Sequence, residues 1–337
     1  MTADDLKLRY SKNGIMSRNC LFNWILGARG TGKTYTFKEY ALDSPGECVW
    51  VRRYQEDIDE LKATNEFLSD LFQTSHKYDN LKIEWKGNKL YIDGLVKIHF
   101  IALSTAQRKK SQSFYNVDKM VFDEVLESLG RSYLKKEINK FLELYETVNR
   151  LRGKGDDTRK EVRVFFLANK VSFVNPYFSY WGITPFTERY KTFKNGTICV
   201  ENYTNKDFEE AKKDTQFGKL ISGTTYSDYS IDNVCWEDNN SFITKRTVKS
   251  VLRANIRIGE TTIGIWTDDN RMYCSKAYNP AGRTYAPRYE MLENEHPLTM
   301  NKLPVTWLVL GFERGYVYFD DNVVKDFVFR LMQGQFD

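Results

Sequence analysis

Eight residues, Gly27-Ala28-Arg29-Gly30-Thr31-Gly32-Lys33-Thr34, constrain this chain more than any other stretch. They match the pattern G-x-x-x-x-G-K-[ST] without departure. The pattern has a physical meaning. Its glycines let backbone N–H groups turn inward around phosphate oxygens, and the start of a following helix adds favourable partial charge. The flanks meet that requirement, because Cys20 to Leu26 is a nearly continuous apolar run, as a buried parallel strand reads, and Thr34 to Tyr40 opens a helix. On this reading Lys33 reaches the β/γ-phosphate oxygens of a nucleotide and Thr34 ligates Mg2+. The bland alternative is a glycine-rich turn that binds nothing.

A second apolar run, Lys119-Met120-Val121-Phe122, ends in Asp123-Glu124. A carboxylate emerging at the end of a buried strand, beside the loop, can hold the metal directly or through water, which is the role expected of Asp123. An acid directly after it can orient and deprotonate an attacking water. Glu124 therefore favours ATP hydrolysis over GTPase or small-molecule kinase chemistry. By themselves the two acids also read as a solvated strand end. Asn169 closes the next predicted strand, where its amide can contact the γ-phosphate or the water, or simply cap the strand. Arg52-Arg53 at the end of a strand and Arg29 inside the loop are candidate nucleotide sensors, Arg53 foremost.

The elements follow an alternating order. Cys48 to Val51 reads as a strand, Ile58 to Phe72 carries helical spacing, and Leu134 to Val148 is an amphipathic helix. Between Leu81 and Leu103, turns at Gly87-Asn88 and Asp93-Gly94 mark an inserted antiparallel meander. Val162 to Ala168 is a further buried run stopping at Asn169. The class is α/β, a mostly parallel sheet flanked by helices. Residues 1–200 form this domain, 201–240 are a polar, partly helical linker, and 241–337 are a smaller α+β domain ending in the amphipathic helix Val323 to Met332.

Composition removes other chemistries. The five cysteines are scattered without a CxxC pair, and the three histidines have no spacing suited to zinc or a catalytic dyad. A net charge of +5 is compatible with a polyanionic partner without requiring one. No run approaches a membrane span and Met1 to Arg18 has no leader pattern, so a soluble, unsecreted protein without a membrane partner is expected.

Two basic stretches remain. Arg150 and Arg152 lie in the loop Arg150-Leu151-Arg152-Gly153-Lys154-Gly155, which can present a guanidinium to a neighbouring subunit's nucleotide or stand as a solvated basic loop. Gln107-Arg108-Lys109-Lys110-Ser111 reads equally as a contact for DNA phosphate, for a neighbour's nucleotide, or as a solvated charge run.

Taken together, Ile25 to Thr34, Val51-Arg52-Arg53-Tyr54, Val121-Phe122-Asp123-Glu124, Thr147-Val148-Asn149-Arg150 and Val174-Asn175-Pro176-Tyr177-Phe178 resemble the DNA-packaging ATPases of small tailed phages of the phi-29 type. Weaker similarity runs through Phe217 to Thr224 and Ile231-Asp232-Asn233, and the last hundred residues resemble the family loosely. The resemblance implies a P-loop NTPase fold of the ASCE type. It implies ATP and Mg2+ as ligands, and a homo-oligomeric ring, commonly a pentamer, that drives double-stranded DNA through the portal of a procapsid in the host cytoplasm. A structural RNA accompanies such motors in some cases. By the same resemblance Arg150 looks like a trans-acting arginine finger and Lys110 like a residue of nucleotide exchange or subunit coupling. The C-terminal domain looks like a ribonuclease-H-type fold that has lost nuclease function. Asp268, Asp269, Asp320 and Asp321 fall near predicted strand ends but form no identifiable metal set. The alternatives are a terminase with an active nuclease and a nucleotide-gated nucleic-acid-binding scaffold.

Overall fold

The computed structural model describes residues 7–64, 67–109, 112–126, 133–155, 157–169, 175–183, 186–223, 242–268, 271–299 and 304–332. Lys110 and Asp269 lie outside the described residues, as do Val174, Thr224 and Ile231-Asp232-Asn233 of the segments that carry the resemblance. The chain divides into two compact units, Met1–Phe173 with Tyr180–Glu237, and Val174–Ser179 with Asp238–Asp337.

The sheet of the first unit is built from β1 (Phe22–Gly27), β2 (Glu47–Arg52), β3 (Ile83–Lys86), β4 (Lys89–Ile92), β5 (Leu95–Ala102), β6 (Val117–Asp123), β7 (Arg163–Asn169), β8 (Tyr190–Phe193) and β9 (Ile198–Tyr203). Their order across the sheet is β3-β4-β5-β2-β6-β7-β1-β9-β8. From β5 to β9 the pairings are parallel, and the antiparallel ones sit at the two edges. Strands covered on both faces need apolar side chains on both, which is why β1, β6 and β7 read as continuous runs rather than alternations. Much of the packing is aromatic. Trp24 stacks on Phe166 with ring centroids 4.1 Å apart, while Phe37 meets Phe165 at 4.8 Å and Trp50 meets Phe67 at 5.0 Å. Such pairs contribute about 1 kcal/mol each beyond the area they bury.

Two expectations change here. The hairpin turns at Gly87-Asn88 and Asp93-Gly94 form, but the meander is no insertion, because β5 pairs in parallel with β2 and so extends the main sheet. The sheet also takes in β9, parallel to β1, with β8 on its outer edge, so β9 runs past residue 201, the expected start of the linker. Glu201 obscures β9 in the sequence. It is a charge at a fully buried strand position, satisfied by the Tyr10 hydroxyl at 2.7 Å and by the Arg189 guanidinium at 3.0 and 3.1 Å.

The second unit contains β10 (Val251–Ile258), β11 (Thr261–Thr267), β12 (Met272–Ser275), β13 (Thr284–Ala286), β14 (His296–Pro297) and β15 (Val317–Phe319), in the order β14-β13-β10-β11-β12-β15. The central β10-β11-β12 meander is antiparallel and the flanking pairings are parallel. Helices Val305–Glu313 and Asn322–Met332 bury Val305, Leu308, Val324, Val328 and Leu331 against Ile256, Ile263, Ile265 and Phe319. This is a small α+β arrangement. Among the described residues no helix is long and apolar enough to cross a membrane.

Candidate nucleotide-binding site

The phosphate loop joins β1 to the helix Lys33–Asp43. Gly30 and Gly32 take φ of +88° and +81°, a region that side-chain-bearing residues occupy at a cost, and Gly32 in that conformation is the N-cap of the helix. The sequence pattern is thus the backbone requirement of the turn. β7 lies between β1 and β6, and the register sets Gly27 opposite Asn169 and Asp123 opposite Leu167. The loop and the acid pair therefore emerge from the same end of the sheet, one strand apart.

Lys33 is buried, and its amine donates to the carbonyls of Gly27 at 2.9 Å and Ala28 at 2.7 Å, with the Thr31 hydroxyl 3.4 Å away. Burial pushes its pKa down to about 7, against the pull of Asp123 and with help from the like charge of Lys212. A bound triphosphate favours the ammonium form. At about pH 8 most of these lysines begin neutral, so binding must take up a proton. Calorimetric titration with ATP in buffers of different ionisation enthalpy is expected to show that uptake in the native chain and its loss in Lys33→Ala. Equal proton balance in the two proteins would contradict the assignment.

The Thr34 hydroxyl donates to Asp123 Oδ1 at 3.0 Å. A hydroxyl and a carboxylate held together at the helix start form the oxygen pair that a Mg2+ ion of a nucleotide complex requires, so the side chains present fit that ion. Burial raises the Asp123 carboxyl above the usual carboxylate range, and the Arg52 guanidinium opposes that shift. Arg52 is shared between the acids, 3.2 Å from Asp123 Oδ2 and 2.7 Å from Glu124 Oε2. Glu124 itself is exposed and holds a φ of +55°. A non-glycine residue in that region carries about 1 kcal/mol or more of strain, which marks the turn as specifically held.

The two neighbouring arginines have separate fates. Arg53, expected at the nucleotide, is closed off instead. Its guanidinium donates to both carboxylate oxygens of Glu137, at 2.8 and 2.9 Å, and to the carbonyls of Glu124 at 3.3 Å and Val125 at 2.7 Å. Both partners of that ion pair are almost fully buried, and removing one partner of such a pair costs about 3–5 kcal/mol. Arg53 therefore braces the backbone of the acid turn, and Arg52 is the guanidinium that faces the carboxylates. Glu137 escaped sequence reasoning because nothing in its spacing links it to a residue 84 positions earlier.

The remaining candidates are dispersed. Arg29 is exposed on the loop and Asn169 is half-buried beside Gly27. Arg150 lies elsewhere. The helix Glu137–Asn149 runs from the end of β6 back to the start of β7, which is parallel to β6, so Arg150 emerges at the opposite end of the sheet from the loop. It is exposed, with a φ of +40°, and donates to the carbonyls of Thr147 at 3.1 Å and Gln112 at 2.7 Å. Arg152 is instead buried against the carbonyls of Phe114, Tyr115 and Val117. In the second unit, Asp268 accepts from the Tyr273 hydroxyl at 2.9 Å, Asp320 from the Lys276 amide at 3.0 Å and Asp321 from the Lys276 amine at 2.6 Å. Among the described residues no group of three or more His, Cys, Asp or Glu side chains is arranged to hold a metal ion.

A mostly parallel sheet, a glycine-rich phosphate loop after β1, and an acid pair ending β6 with one strand between them make the first unit a P-loop NTPase fold. The family model of the podovirus DNA encapsidation protein (Gp16) matches residues 4–336, and the chain belongs to that family. The DNA packaging protein of Bacillus phage phi29 is 31% identical over 341 residues, covering 98% of each chain. That of Bacillus phage PZA is likewise 31% identical over 341 residues and 98% of each. Among solved structures, a chain of the bacteriophage Phi-29 viral genome packaging motor assembly superposes with a TM-score of 0.73 at 30% identity, covering 97% of this chain and 99% of that one. The N-terminal domain of the phi29 DNA packaging ATPase, also 30% identical, covers 60% of this chain and 99% of its own with a TM-score of 0.51.

Proposed function

We propose that this chain is the ATP-hydrolysing subunit of a ring-shaped motor, commonly a pentamer, that drives double-stranded DNA through a portal into a procapsid in the host cytoplasm. The observation that carries the reading is the convergence of Lys33, Thr34, Asp123 and Glu124 at one end of the sheet. Family membership supplies the context.

In this account the loop amides and Lys33 hold the β- and γ-phosphates of ATP, and Thr34 and Asp123 hold Mg2+. The ion's contribution is to neutralise charge on the phosphate oxygens. Glu124, free to turn toward solvent once Arg52 is drawn elsewhere, orients the attacking water and accepts its proton. Asn169, whose strand position pairs with the first loop glycine, reports on the γ-phosphate in this reading. Arg150 lies roughly 20 Å from its own chain's loop, the length of a seven-residue strand, and serves the neighbouring subunit as the resemblance implies. Lys110 takes the part in coupling subunits that the resemblance implies.

The second unit acts without cutting DNA, a reading supported by acids that are each occupied by neighbouring donors. The test combines the purified chain with procapsids, any structural RNA they carry, ATP and double-stranded DNA, followed by nuclease digestion. DNA should become protected only with ATP and an intact Lys33, and should stay full-length in Mg2+ before digestion. Protection without ATP, or cleavage by the chain alone, would overturn the proposal.

A further inference from the structure

The phosphate loop has a second set of neighbours that the hydrolysis scheme leaves unused. Along one side runs the N-terminal segment. The Tyr10 amide donates to the Thr31 carbonyl at 2.8 Å, and the Thr36 hydroxyl donates to the Tyr10 carbonyl at 2.8 Å. The helix Lys206–Asp214 also borders the loop. Asn205 caps this helix by accepting from the Phe208 amide at 3.1 Å, and its own amide donates to the Lys7 carbonyl at 2.9 Å and the Tyr203 hydroxyl at 3.0 Å. The helix start is thereby tied both to the N-terminal segment and to the end of β9. Phe208 then lies against the loop, its ring 3.5 Å from where a side chain would begin at Gly30. One turn on, and so on the same helix face, Lys212 donates to the carbonyl of Arg29 at 3.4 Å.

We propose that Lys212 is a nucleotide-binding residue supplied by the helix after the sheet: its amine leaves the Arg29 carbonyl for a phosphate oxygen of the bound nucleotide, so the helix registers whether the loop is filled. This rests on the reading of the loop as an ATP site. Three observations converge on it. The contact with Arg29 is at the long end of the hydrogen-bond range, and a phosphate oxygen is a stronger acceptor than a peptide carbonyl for an ammonium group. Lys33 is parked in the same manner, on the carbonyls of Gly27 and Ala28, so two lysine amines rest on carbonyls of one short loop. Burial together with the charge of Arg29 holds the Lys212 amine below the usual lysine range, a shift that a neighbouring polyanion opposes. No spacing in the sequence announces this, because Lys212 sits in the polar stretch Asn205 to Asp214 with no motif around it.

The test measures affinity for a fluorescent ATP analogue in the full chain and in Lys212→Met, Lys212→Arg and Lys33→Ala. Methionine keeps the packed stem without the charge, and arginine keeps the charge. Loss of a charge-assisted bond predicts about tenfold weaker binding in Lys212→Met, with Lys212→Arg within about threefold of the native chain and an unchanged melting temperature without nucleotide. Native affinity in Lys212→Met overturns the proposal, and so does an equal loss in both Lys212 variants, which assigns the effect to helix packing. Should Lys33→Ala weaken binding while Lys212→Met does not, the ATP reading stands and the Lys212 role falls. Unchanged binding in Lys33→Ala overturns both.

Discussion

Arg150→Ala is expected to lower ATP turnover by the assembled protein about a thousandfold or more, the usual effect of removing an arginine finger, while leaving nucleotide binding and folding intact. Arg150 stands at the end of the sheet opposite its own phosphate loop, yet it is exposed and fixed in direction by a left-handed backbone turn and the Gln112 carbonyl. A residue so placed acts on another subunit or on nothing. Two measurements separate these cases. Turnover per chain in the native protein should rise with concentration as subunits assemble, and mixtures of Arg150→Ala with Lys33→Ala should regain turnover that neither has alone. The first variant contributes an intact loop and the second an intact finger at the same interface. Dilute monomer that matches the assembled rate, or mixtures that stay inert, would remove Arg150 from the mechanism.

What the sequence made legible were features whose chemistry is local in the chain. Gly27 to Thr34 declares itself because the turn needs positive φ at Gly30 and Gly32 and a helix start immediately after. Asp123-Glu124 is visible because two acids end an otherwise apolar run. The hairpin turns before β4 and β5 follow from Gly87-Asn88 and Asp93-Gly94. Features that depend on pairing distant segments were not legible. The closure of Arg53 by Glu137 requires β2 and the crossover helix to meet, and nothing local in the sequence separates the buried Arg53 from Arg52, which faces the acids. β9 was hidden by Glu201, whose burial makes sense only once Tyr10 and Arg189 are seen to share its carboxylate. The parallel pairing of β5 with β2 is likewise a long-range register that turn signals do not encode.

Arg52 clamps Asp123 and Glu124 together, and in the proposed mechanism this clamp would hold hydrolysis low until nucleotide is bound. With one guanidinium between them, Glu124 is oriented toward an arginine rather than a water, and Asp123 divides its oxygens between Thr34 and Arg52. A metal ion held by Thr34 and Asp123 would compete with Arg52 for the Asp123 carboxylate. In the proposed mechanism Glu124 is the base, and replacing its carboxylate by an amide would remove proton acceptance while keeping size and hydrogen bonding. Loss of a positioned general base is worth about 100- to 10,000-fold in rate.

The most direct measurement is therefore ATP hydrolysis by the native chain and by Glu124→Gln, each with and without double-stranded DNA, with oligomeric state and nucleotide affinity followed in the same samples. The account predicts turnover in the native assembly that DNA accelerates, and a Glu124→Gln protein that assembles and binds ATP but hydrolyses it at least about a hundredfold more slowly. Equal turnover in the two proteins would contradict it.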